Sequence, residues 1–287
     1  MNIDAISGAA TVALTSTILF LVVAKSWSAL SRSVGSTPSF AESIMHEAAQ
    51  RFRDELERLS NAQAIYLSGT LVFLVLFAAS YVLKAQDLFA GYPEWQLWLQ
   101  IGFLTLAAVF AAWRLGSTVL ARRNVKFVRD ANVAVGHQLQ QISVGANRVF
   151  HDVATSAGVV DHVLVGQRGI YAVNVVARRG GKNRSAVLNG EHLSFSNSDA
   201  TTPIVEITAS TARLQKEICK LLGHKIRVRS VIAVPGWDIG KQCNEQHLLV
   251  NERTITILRG WRDQSDYLMN EDVDLLQKEL TSRCRRK

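Results

Sequence analysis

Arg178, Arg179, Lys182 and Arg184 fall within seven consecutive positions, separated only by Gly180, Gly181 and Asn183. Cationic side chains on a glycine-containing loop can follow a string of phosphates, with an affinity that falls steeply with salt and reads no bases. A second set, Arg213, Lys216 and Lys220, recurs at the three- and four-residue steps that line one face of a helix. Lys225, Arg227 and Arg229 follow it, and the chain closes on Arg-Cys-Arg-Arg-Lys. The competing reading of each cluster is a solvated face that keeps the protein soluble.

The charge of the whole chain bears on that choice. Residues 1–116 carry 7 Lys+Arg against 8 Asp+Glu, and residues 117–287 carry 25 against 16, so a net −1 is followed by a net +9. All of the positive excess sits in the second part, where it can face a polyanion. Cys219, Cys243 and Cys284 lie far apart without a C-x-x-C spacing. That argues against a disulfide framework or a cysteine zinc site and fits reduced thiols in a cytosol. Cys219 shares an apolar helical stripe with Ile218 and Leu221.

The elements expected to carry these residues change character along the chain. Ala64 to Leu83 is 20 residues without a charge, the length a helix needs to cross about 30 Å of hydrocarbon. A second uncharged run, Leu97 to Trp113, follows a connector that holds Tyr92 and Trp95. With Tyr81 and Trp98, these aromatic residues suit the headgroup layer. The pair reads as a transmembrane hairpin at 64–115, in which Ala107, Ala108, Ala111 and Ala112 would permit close helix approach. Neither run holds an ionisable residue, which argues against an ion or proton pathway. Gly8 to Ala24 is a further apolar stretch, with Lys25 after it and no basic residue before it. It reads as an uncleaved first span over 1–25 rather than a signal peptide. Arginines flank the outer ends of the hairpin, among them Arg122, Arg123 and Arg129, beside an anionic inner leaflet. The expected topology is an integral membrane protein with its N-terminus outside and its C-terminal domain cytoplasmic. Between spans one and two, within a cytoplasmic segment 26–63, the apolar residues of 41–63 recur every three to four positions. That marks an amphipathic helix that packs on its own chain or forms a homo-oligomeric seam.

Beyond residue 116 the pattern becomes α/β. A helix continuing through 131–142 precedes strand-like runs at 148–153, 159–165 and 169–176. A helix at 203–222, a strand at 229–234, runs at 248–250 and 255–258, and a last helix over 270–280 follow. Asn270 or Asp272 is the expected cap of that helix.

The run VVDHVLVGQRGIYAVNVVARRG, residues 159–180, resembles the core of the nuclease-related domain, the NERD family, within the PD-(D/E)XK nuclease superfamily. In that family an Asp opens one strand, a Gly begins the next, and the second strand ends in Glu-x-Lys before a basic glycine loop. Asp161, Gly169, Asn174, Val176 and Gly180 take those places without a gap. VAVG at 133–136, FHD at 150–152, Pro203 and PGW at 235–237 extend the resemblance over roughly 130–260. It implies a restriction-endonuclease-like mixed sheet flanked by helices over 116–287. It also implies Mg²⁺- or Mn²⁺-assisted phosphodiester hydrolysis, with the metal held by carboxylates. This chain departs from the pattern. The Glu is Asn174 and the Lys is Val176. The helix glutamate expected after Gly136 is represented by His137 and Gln138, and a frequent glutamine by Glu206. Asp161 is the one family carboxylate retained and the one metal ligand to expect. His137, Asp161 and Asn174 are either a site for a softer ion or a hydrogen-bonded polar cluster.

The sequence therefore points to a bacterial inner-membrane protein that displays a catalytically inactive NERD-like domain. Its expected partners are the lipid bilayer and DNA, RNA or a protein. The alternatives are an active membrane-tethered nuclease with relocated ligands, and a structural or sensor protein without nucleic-acid binding.

Overall fold

The computed structural model describes residues 3–34, 45–82, 94–143, 147–180, 184–196, 198–240, 246–260 and 267–284. The chain divides into two compact units, one of Met1–Thr37 with Glu55–Asn124, the other of Pro38–Asp54 with Val125–Lys287.

The first unit is built from helix α1 (Ile3–Val34) and from parts of α2 (Gln50–Val82) and α3 (Glu94–Ile142). Helices α1 and α2 hold segments long and apolar enough to cross a membrane. Small residues make the close contact, but on α1: Ala9, Ala10, Ala13 and Thr17 are buried. Gly69 on α2 leaves room for Leu21, whose Cδ2 would lie 2.7 Å from any added Cβ. The expected alanine stripe is not that contact, since Ala108, Ala111 and Ala112 are exposed. Large apolar side chains face outward on all three helices, among them Leu19, Val23, Leu71, Leu74, Phe103 and Leu106. The connector between the two expected hairpin spans lies largely outside the described residues.

The second unit centres on a five-stranded sheet ordered β1-β2-β3-β7-β9. Its strands are Arg148–Thr155, Gly158–Gly166, Gly169–Val175, Val228–Ala233 and His247–Val250. Tight turns make β1, β2 and β3 antiparallel, whereas β3, β7 and β9 run parallel. A parallel pair needs a crossover, and helix α4 (Val205–Leu222) supplies it between β3 and β7. Helices α4 and α6 (Asn270–Arg283) cover one face, burying Leu214, Ile218, Leu276 and Leu280 against Phe150, Val163 and Ile170. The end of α3 covers the other face, where Val135 and Leu139 pack on Leu164, Tyr171 and Val173.

Residues 184–203, which carry no expected element before the helix at 203, supply most of a second sheet. Strands β4 (Ser185–Asn189), β5 (His192–Phe195) and β6 (Ser198–Pro203) join the short β8 (Asp238–Ile239) in the order β6-β5-β4-β8. Pro203 thus ends a strand rather than opening α4. Residues 255–258 form turn and the start of the short helix α5 (Ile257–Gly260), not a strand. The N-cap of α6 is Met269, without a side-chain cap, so neither Asn270 nor Asp272 fills that role. The helix expected from Ala41 begins at Gln50; residues 45–49 are non-helical, and residues 41–44 lie outside the described set.

Candidate functional site

The hairpin of β1 and β2 is regular except at one row. Paired register runs through His151–His162 and resumes at Val153–Val160, which leaves Asp152 opposite Asp161. Phe150 and Val153 both join the core under α4 and α6, three positions apart, which strict alternation does not allow. The pleat slips at Asp152, whose φ of 51° is left-handed, a conformation aspartate tolerates better than most residues. On the other side of β2 the pairing with β3 ends at His162–Val173. There Asp161 Oδ2 accepts the backbone N–H of Val175 at 2.7 Å, replacing a ladder bond where the strands part. Both carboxylates are buried, and burial raises both pKa values, that of Asp161 to about 6.

What neutralises them comes from far away in sequence. Arg51, in the first turn of α2, forms an ion pair and hydrogen bond from Nη2 to Asp161 Oδ1. Its Nε lies 3.4 Å from Asp152 Oδ1, an ion pair without hydrogen-bond geometry. Its backbone N–H donates to Asp152 Oδ2 at 3.1 Å. Asp152 thereby satisfies a free amide at the N-terminus of α2, where the helix favours an anion. The preceding residues are built into the same unit. The N–H of His46 donates to the Cys284 carbonyl at 2.7 Å, and Ala49 is fully buried in a left-handed conformation, φ 63°. Ala48 packs on Gly136 so closely that a Cβ on the glycine would meet its Cβ at 2.7 Å.

The same Gly136 faces two histidines. His151 Nδ1 and His162 Nδ1 are 2.8 Å apart, with the rings edge to face. Gln140 Nε2 lies 3.4 Å from His151 Nε2, and with both rings neutral a single proton bridges the two Nδ1 atoms. Burial holds both rings neutral, His151 at about 4 and His162 at about 3.

The residues that resemble the family site are divided by this fold. Asp161 and Asn174 are buried on neighbouring strands, and Asn174 Nδ2 has no hydrogen-bond partner. Val176, at the lysine position, donates its N–H to Ala233 at 2.9 Å and packs on the core between the two sheets. His137 and Glu206 are exposed and Gln138 half-buried. His137 is thus exposed whereas Asp161 and Asn174 are buried, and among the described residues no three His, Cys, Asp or Glu are grouped to hold a metal ion. Sequence reasoning missed Asp152, Arg51 and the histidine pair.

The superfamily's Mg²⁺ can be tested against this donor set. Asp161 Oδ1 is bound by Arg51, Asp161 Oδ2 by Val175, and Asp152 Oδ2 by Arg51 again. Mg²⁺ demands oxygens at about 2.0–2.1 Å in near-octahedral array, and a guanidinium at the same carboxylates repels it. The residues as arranged do not fit the ion.

The basic residues separate into two groups. Arg178 stacks over Phe195 at 4.7 Å and accepts the Trp237 indole N–H on its carbonyl at 2.9 Å. Arg179 lies over Phe127 at 5.4 Å, and Arg184 is exposed just before β4. Lys182 lies outside the described residues. On α4, Lys216 and Lys220 are exposed, but Arg213 pairs with Glu217 at 3.1 Å, and Glu217 also binds Arg283 at 2.6 Å. Arg213 therefore belongs to a brace between α4 and α6.

No curated protein and no solved structure matches the chain. Residues 129–235 do match the family model of the nuclease-related domain. That stretch begins on the last turns of α3, takes in the whole hairpin with Asp152 and Asp161, and ends after β7. Residues 129–235 of this chain are therefore a nuclease-related domain of the NERD type.

Proposed function

We propose that this chain is a membrane-anchored protein whose nuclease-related domain no longer cleaves phosphodiesters and instead binds nucleic acid on the cytoplasmic face of a bacterial inner membrane. The observation that carries the loss of catalysis is the Arg51 guanidinium on Asp161, at the carboxylate through which the family would hold its metal. Val176 adds to it, because an isopropyl group packed against the core cannot stabilise charge near an attacking water. Anchoring is supported by the outward-facing apolar side chains of α1, α2 and α3, which water would not favour and a bilayer would. Binding is supported by the net +9 of residues 117–287 and by exposed Arg184, Lys216 and Lys220.

The test uses the full chain in detergent or nanodiscs, incubated with labelled DNA and RNA in Mg²⁺ or Mn²⁺. The expected result is binding without cleavage, with log K falling linearly against log salt. The Lys216→Ala/Lys220→Ala variant should flatten that slope by about 1–2 and weaken binding equally across sequences. A second reading, an active nuclease, is favoured by Asp152, which puts two carboxylates side by side where the sequence offered one. Divalent-dependent cleavage that Asp161→Asn abolishes would establish it. Absence of DNA or RNA binding even at low salt would reject the nucleic-acid reading.

A further inference from the structure

We propose that Asp152 and Asp161 form a cation site occupied in cis by Arg51, with residues 45–54 acting as its tethered ligand. The site is not an acidic cluster alone: a cation sits on it. One guanidinium spans two carboxylates on adjacent strands, and the backbone of the same residue adds a third contact. Asp152 Oδ1 is fully buried and without a hydrogen bond, facing Arg51 Nε. Two carboxylates this deep cannot both stay ionised without a positive charge beside them.

The ligand is held by more than its charge. The amide of His46 is tied to the end of α6, Ala48 fits against Gly136, and Ala49 is buried in a left-handed turn that aims α2 at the aspartates. Residues 45–54 thus present a guanidinium and a helix N-terminus to the same pair of carboxylates. A guanidinium there excludes a free divalent cation, so removing its charge should convert the site into one that takes up Mn²⁺. This inference concerns what fills the acid site, and it holds or fails independently of nucleic-acid binding.

The experiment compares full-length wild-type protein, Arg51→Ala, Arg51→Lys, Arg51→Ala/Asp161→Asn and Arg51→Ala/Asp152→Asn/Asp161→Asn. Thermal unfolding is followed with and without millimolar Mn²⁺. Wild type and Arg51→Lys should ignore the metal. Arg51→Ala should gain a Tm rise of about 5 °C at saturating Mn²⁺, and Asp161→Asn should cancel it. If Arg51→Ala does not fold, either Mn²⁺ or neutralising both aspartates should restore folding. The proposal is overturned by a folded Arg51→Ala that ignores Mn²⁺, or by an unfolded one that neither treatment rescues. A wild-type protein that responds to Mn²⁺ as Arg51→Ala does would overturn it equally.

Discussion

His151 and Asp161 sit one row apart on paired strands and respond to acid in opposite senses. Asp161 holds its proton up to about pH 6 in the folded protein, whereas an unfolded aspartate releases it near 3.8. Between those values the folded state binds the extra proton, so this residue adds stability as the pH falls. The histidines do the reverse. Unfolded they charge at 6.5, but folded they stay neutral to about 4 and about 3. Their contribution is complete above pH 6.5 and is lost as the pH drops towards 3. Asp152 is raised in the same sense as Asp161 but by less, and each histidine is displaced further than either aspartate, so the histidines decide the sign. Hydrogen exchange in peptides covering 148–166 should therefore accelerate steadily between pH 6.5 and pH 4, after correction for the intrinsic rate. His151→Gln/His162→Gln should flatten that dependence, and an unchanged slope would show that the pair is not its source. The hairpin explains why the aspartates could have been foreseen. His-Asp at 151–152 and Asp-His at 161–162 mirror each other about the turn at 156–157, so a tight hairpin must pair them.

Among the elements, the stretch entering α2 carries the most consequence for its length. Periodicity placed one amphipathic helix from Ala41 onward, because apolar spacing cannot distinguish a helix from a docked turn that buries the same residues. Ala49 adopts a left-handed φ that costs a non-glycine residue roughly 1–2 kcal/mol, and its complete burial offsets that cost. Gly136 is the receiving partner. It is helical, so alanine suits its backbone, but the new methyl would meet the Cβ of Ala48, which has no flexible end to yield. Gly136→Ala should cost about 1–3 kcal/mol, as overpacking does, and should displace residues 45–49. Limited proteolysis of the full chain should then cut near Glu47 or Arg51 faster than in wild type. Equal rates would mean that the segment is held by something other than this contact.

The whole molecule divides unevenly between what lipid and what water would accept. One unit is helical with apolar side chains outward, and the other contains the nuclease-related domain together with residues 38–54 from the N-terminal half. A cut at residue 116, natural on hydropathy, would remove Arg51 and leave its carboxylates uncompensated. Orientation can be checked with the protein's own thiols, because all three cysteines lie beyond residue 116 and Cys219 is partly exposed. An impermeant maleimide should label the wild-type chain only after cells are permeabilised. Asn2→Cys should be labelled in intact cells. Labelling of the wild-type protein from outside would invert the proposed topology.

By itself the sequence determined the apolar helices, the strand-helix alternation of the second half and the resemblance carried by 159–180. These depend on local periodicity and contiguous letters, which one sequence displays. The second sheet also had a local mark, Asn189-Gly190 between the alternating pairs Ala186/Leu188 and Leu193/Phe195, but strands β4 to β6 are only four to six residues long and flanked by polar residues. The ion pair between Arg51 and Asp161 was invisible for another reason: the partners are 110 residues apart, and no spacing rule links them. Only the folded chain brings a charge from the start of one helix onto two aspartates of a distant hairpin. The energetics of buried charge then decide what occupies the site.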